Sequence, residues 1–78
     1  MGVVIDLYPR WRVSLDVTGV LEYVDANGAP IGFVCAALTQ WKWIADAGGV
    51  FLTGVADRTS LAKRAVEMVY AHRRRKKA

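Results

Sequence analysis

The side chains able to do chemistry in this sequence are few: one cysteine, one histidine, three tryptophans, and five consecutive cations, Arg73, Arg74, Arg75, Lys76 and Lys77. Cys35 and His72 have the types of a thiolate nucleophile and its general base, because an imidazole near neutrality can take a thiol proton. Nothing in the sequence supplies the third group that would orient them. The plainer reading, adopted here, is a buried thiol and an imidazole on a helix face. One cysteine and one histidine are too few for a zinc site, so neither a metal nor a cofactor is expected. Gly48, Gly49 and Gly54 lack the Lys-Ser/Thr and the following helix of a phosphate-binding loop, and they read as turn and packing glycines. No enzyme activity is expected.

The basic run names a class of partner. Clustered Arg and Lys release counterions from nucleic acid with little demand on geometry, so Arg73 to Lys77, with Lys63 and Arg64 upstream, form the candidate nucleic-acid contacts. The same run reads equally as a solvated tail that aids solubility or closes a helix. A membrane surface is not the expected partner, since no lipidation motif or second anchor accompanies it. Trp11, Trp41 and Trp43 could stack on unpaired bases. Their neighbours in the pattern are Val13, Leu15, Phe33 and Leu52, however, and core packing is the reading preferred.

These residues need elements to hold them. Residues 3–8 alternate apolar and polar positions up to Pro9, and the alternation resumes with Trp11, Val13, Leu15 and Val17 on one side and Arg12, Ser14 and Asp16 on the other. Thr18-Gly19 turns the chain into a strand over residues 20–25, in which Glu22 implies one wet face. Asn27-Gly28 tolerates positive φ, and Pro30 presets entry into the next strand. Residues 31–38 are apolar at almost every position, Thr39-Gln40 allows only a tight hairpin, and residues 41–46 return with Lys42 on the face opposite Trp41 and Trp43. Gly48-Gly49 turns again into residues 50–55. Connections this short make the strands antiparallel.

From Leu61 the period becomes helical, with Ala65, Met68, Val69 and His72 following on one stripe that Ala62 and Val66 widen. Asp57 or Thr59 is the expected N-cap, the start falls near Arg58 or Ser60, and the cations at the far end suit the negative pole of the helix dipole. The helix can therefore run into the basic tail. The fold class expected is α+β: an antiparallel meander of four to six strands with one C-terminal helix on one face, a single domain over residues 1–72 followed by a basic tail over residues 73–78.

Composition sets the remaining bounds. The formal charge is +4, yet without the terminal five cations six basic residues face seven acidic ones, a net of −1. The globular part thus has no cationic excess for a phosphate backbone. No apolar run reaches the length of a bilayer span, the apolar start lacks the charge and cleavage pattern of a leader, and the lone cysteine suits a reducing interior, so a cytoplasmic protein is expected. The preference for Arg over Lys, with abundant Ala, Val and Gly, suits a GC-rich genome such as that of an actinobacterium or its phage.

Gly32-Phe33-Val34, Trp43-Ile44-Ala45, Gly54, and then Thr59 with Ala62 and Ala65 form a strand-strand-strand-helix rhythm that resembles the AP2-like and Arm-type integrase N-terminal domains. The resemblance covers residues 31–69. In those families arginines and aromatics on the exposed sheet face enter the DNA major groove. Here the corresponding residues 31–55 depart from that pattern by carrying one cation, Lys42, which leaves the tail, with Arg10, Arg12, Lys63 and Arg64, as the possible contacts. The function expected is that of a small phage-like accessory protein associating with nucleic acid through its basic end. The alternative is a module that binds and modulates a host protein through apolar sheet surface.

A hydrophobic content of 54% in so short a chain also implies a homo-oligomer. The expected faces are Ile31, Phe33, Cys35, Trp41, Trp43 and Phe51 or Leu52 on one side, and Val34, Leu38, Ile44 and Val55 on the other. One helix covers one of them. The second is expected to be buried against another copy across a twofold axis, or within the chain by closure into a barrel.

Overall fold

The computed structural model describes residues 9–77, with side chains for residues 9–73. It contains five strands and a helix: β1 (Arg10–Val13), β2 (Val20–Val24), β3 (Pro30–Ala37), β4 (Gln40–Asp46), β5 (Phe51–Ala56) and α1 (Thr59–Lys77). The strands form one antiparallel sheet in sequence order, with β1 and β5 at its edges. The α+β meander with a C-terminal helix is therefore present, and among the described residues the sheet is open and not a barrel. The strand expected over residues 3–8 lies outside the described residues.

Local chemistry explains the turns. At β2–β3, Asp25 Oδ1 accepts the N–H groups of Asn27 and Ala29 at 2.9 and 3.0 Å, and Gly28 takes the positive φ. At β4–β5, Asp46 Oδ1 accepts the N–H groups of Gly48 and Gly49, both at 2.9 Å, and both glycines lie at φ above 90°. The β1–β2 link differs from expectation. Ser14 Oγ accepts the N–H groups of Asp16 and Val17 at 3.2 and 3.1 Å, which curls the chain out of the sheet and ends β1 at Val13. Leu15 and Val17 are consequently exposed loop residues, not strand positions.

Register decides which residues meet the helix. The β3–β4 hairpin pairs Ala37 with Gln40, so even positions of β3 share a face with odd positions of β4. Trp43 thus stands opposite Val34 and Gly54, in a row with Leu21. Tyr23, Gly32, Ala45 and Leu52 form the next row of the same face. The expected grouping of Trp41 and Trp43 with Phe33 and Cys35 is corrected: those two lie on the opposite face with Glu22, Ile44, Lys42 and Val55. A bulge between Tyr23 and Val24 leaves Ile31 as the extra residue, and it joins the core.

The core consists of Tyr23, Ile31, Val34, Ala45, Ala62 and Val66, with Trp11, Leu21, Trp41, Trp43, Ala56, Val69 and Tyr70 packed around it. Fully burying a valine such as Val34 or Val66 contributes about 1.5–3 kcal/mol. The helix meets the sheet where side chains are smallest. A Cβ added to Gly32 would overlap Val66 Cγ1 and lie 3.1 Å from the Ile44 carbonyl oxygen. This close approach rotates the buried seam to Ala62 and Val66, so Leu61, Met68 and His72, expected on the core stripe, are exposed. Trp43 lies flat over Gly54, where a Cβ would stand 2.7 Å from its Cζ2.

Glu22 also departs from expectation. It sits directly across from Arg12, is only 7% exposed, and accepts a hydrogen bond from Arg12 Nε at 2.9 Å. Its carboxylate is therefore covered and paired, not wet.

Gly32→Ala is expected to destabilise the domain by about 1–3 kcal/mol through overpacking. Combined with Val66→Ala, the loss should be smaller than the sum of the single changes, because the second substitution removes the methyl that the new Cβ strikes. Urea unfolding of the parent and the three variants checks this; simple additivity would contradict the contact.

Candidate functional site

The candidate cations sit on α1, and the sheet determines what each one meets. Near the helix start, an aromatic column joins β1 and β2 to α1. Trp11 and Tyr23 have ring centroids 4.7 Å apart, and Tyr23 meets Tyr70 edge-on at 6.0 Å. Trp11 Nε1 donates to Glu67 Oε2 at 2.8 Å, and Lys63 Nζ lies 5.6 Å from the Trp11 ring centroid. Lys63 and Glu67, one helical turn apart, thus flank the same indole. Burial, then the Glu67 charge and Tyr70, push the Tyr23 hydroxyl above its ordinary value, so it stays protonated at neutral pH. Arg64 is exposed on the neighbouring helix position.

At the far end Arg73 fastens α1 to the sheet. Its Nη1 lies 3.7 Å from Asp46 Oδ2 and donates to the Asp46 carbonyl oxygen at 3.5 Å. Asp46 is the hub of this contact, since its other oxygen holds the Gly48 and Gly49 amides. Those two hydrogen bonds, Gly49 first, hold its carboxyl below the ordinary 3.8; burial opposes them, and the Arg73 charge lowers it further by a lesser amount. Beyond Arg73 the helix backbone continues through Arg74, Arg75, Lys76 and Lys77.

The candidate set is thus divided. Lys63 is engaged with Trp11, Arg73 with Asp46, Arg64 is exposed, and residues 74–77 extend past the last described contact with the sheet. Glu67 and Asp46 are each committed to a partner, Trp11 and the β4–β5 turn with Arg73.

The two sheet faces differ. On the helix side, a groove of about 430 Å³ lies between Ala47 and Leu52 of the sheet end and Met68, Val69, His72 and Arg73 of α1. On the other side, a groove of about 440 Å³ runs over Val20, Phe33, Cys35 and Ile44, bordered by Glu22 and Ser14. Cys35 and His72 line opposite faces and are not brought together, and Cys35 is half-buried where a fully buried thiol was expected. Among the described residues no group of three or more His, Cys, Asp and Glu side chains could hold a metal. No helix in the described residues is long and apolar enough to cross a membrane.

Two features escaped sequence reasoning. The pairing of Arg12 with Glu22 becomes visible once β1 is folded back on β2 in register. The anchoring role of Asp46 was signalled by Asp-Ala-Gly-Gly, an acceptor followed by two residues able to take positive φ. No family model matches this chain, and no curated protein or solved structure matches it either.

The Asp46 carboxyl provides a pH test. Its pKa is lowered on folding, so the stability it contributes is fully present above the ordinary carboxylate value and disappears as pH falls through the folded value. Asp46→Asn should cost about 0.5–1 kcal/mol at pH 7. Thermal melts should show that gap closing as pH drops below 3.8. A gap unchanged down to about pH 2 would refute the charge contribution.

Proposed function

We propose that this chain is a small accessory protein that associates with nucleic acid through the basic C-terminal end of α1. The observation that carries the reading is the continuation of the helix past the Arg73–Asp46 contact, with four further cationic positions and no acidic residue after Glu67. These four positions follow a globular part that, without the terminal run, is slightly acidic. Affinity then comes from phosphate contact, with no base preference supplied by the sheet, whose helix-free face carries Lys42 as its one exposed cation in β3–β5. Arg64 adds a contact from the same helix. Lys63 contributes less, being held at Trp11.

A second reading, a protein-binding module, has its own support. Leu38, at the tip of the β3–β4 hairpin, is fully exposed at 106% and occupies the left-handed region at φ 52°. An apolar residue there gains nothing from burial and costs roughly 1 kcal/mol in backbone strain. The exposed Ile44, Phe51 and Val55 add an apolar surface on the helix-free side that a partner could cover.

Fluorescence anisotropy with labelled duplex DNA, single-stranded DNA and RNA distinguishes the readings. The account expects binding that weakens roughly a hundredfold between 50 and 200 mM salt, as about four phosphate contacts would give. A chain ending at Arg73 should keep its melting temperature and lose binding, while Arg64→Ala should reduce the salt slope by about one. Failure to bind any of the three at low salt, or full binding by the shortened chain, would refute the proposal and leave the protein-binding reading.

A further inference from the structure

The edge strand β5 is built to receive another strand, and we propose that the strand it receives is β5 of a second copy, paired antiparallel about a twofold axis through Thr53. This inference is independent of the nucleic-acid reading.

The edge is identified by register. Ala47 N–H donates to the Val50 carbonyl at 2.7 Å across the Gly48-Gly49 turn, so Val50 begins the row of β5 residues bonded inward to β4. Alternation then turns the main-chain groups of Leu52, Gly54 and Ala56 toward β4, and those of Phe51, Thr53 and Val55 away from it. No sixth strand covers that side among the described residues.

Natural edges are usually blunted by charge, proline or a bulge. Over its six residues β5 has none of these: Phe51–Ala56 reads FLTGVA, and its pairing with β4 is regular. The opposite edge contrasts with it, since β1 carries Arg10 and Arg12 in four residues.

The strand is also complementary to itself. Antiparallel pairing centred on Thr53 sets Phe51 opposite the partner's Val55 and Thr53 opposite the partner's Thr53, with about six backbone hydrogen bonds exchanged. Aromatic with β-branched and Thr with Thr are favourable cross-strand pairs, and no like charges meet. Phe51 and Val55, exposed by 67% and 54%, lie on the helix-free face, while Leu52 and Met68 flank the edge on the helix side. Phe51, Leu52, Val55 and Met68 thus give the edge apolar side chains on both flanks that pairing with a second copy would partly cover. The product is one continuous sheet with both helices on the same side. It differs from the face-to-face dimer that composition alone implies.

Light scattering on the full chain at about 100 µM should give twice the 8.6 kDa of one chain. Thr53→Pro removes an outward-facing N–H that β4 does not use, together with the Thr53 Oγ1 hydrogen bond to the Trp43 carbonyl, so this variant should stay folded, melt somewhat lower than the parent and elute at the mass of one chain. Ile44→Lys, on the helix-free face one strand in from the edge, should leave the mass doubled. In the unaltered protein the amides of Phe51, Thr53 and Val55 should exchange slowly with D2O at high concentration and rapidly on dilution. This readout decides the matter even if Thr53→Pro does not fold. A single-chain mass at about 100 µM would overturn the proposal. So would a dimer broken by Ile44→Lys but not by Thr53→Pro, or exchange at those three amides that ignores concentration.

Discussion

The arrangement depends on how closely α1 lies against the sheet. At Gly32 the sheet has no side chain, and Val66 of the helix occupies the space a Cβ would need. Ala45 and Ala62, both essentially buried, keep the neighbouring positions equally low. Packing at this density gains dispersion contacts from every atom at the seam, and it leaves little freedom in the rotation of the helix about its axis. That rotation sends Met68 to the border of the sheet, brings Tyr70 against Tyr23, and sets Arg73 beside Asp46. It also determines which sheet face is left uncovered.

Seating the helix in this way explains why the cations are unequal. A count of Lys and Arg treats Lys63, Arg64 and Arg73 as one set with the terminal run. Packing separates them: the Trp11 ring lies beside the Lys63 ammonium, and the β4–β5 turn receives the Arg73 guanidinium. Cations used for internal contact contribute less to an external phosphate field than their number suggests, because moving toward a ligand would cost the contact they already make. Among the described side chains of this set, Arg64 is the exposed one.

Much of the architecture was legible in the sequence. Asn27-Gly28 and Gly48-Gly49 marked two hairpins through the backbone conformations they permit, and the change from a period of two to a helical one marked α1 close to its observed start at Thr59. Failures came where a property is shared between elements. Trp43 alternates correctly within β4, yet its companions on the face depend on the length of the β3–β4 loop, which shifts parity by one residue. Leu61 and Met68 are better core residues than Ala62 by hydropathy, yet the seam belongs to Ala62 and Val66, because Val66 packs into the space left open at Gly32 and that seating leaves Leu61 and Met68 exposed. Glu22 suggested a wet face until Arg12 was set across from it. The cations of the candidate site were visible as types; their engagement with Trp11 and Asp46 was not, since those partners are distant in sequence.

The seating of α1 is best tested by proximity in solution. A NOESY spectrum of the labelled protein should show strong cross-peaks between the Gly32 Hα protons and the Val66 methyls, as the overlap of a Cβ at position 32 with Val66 Cγ1 requires. Val66 methyls that instead report Phe33 or Ile44 side chains would place the helix on the other face and contradict the account.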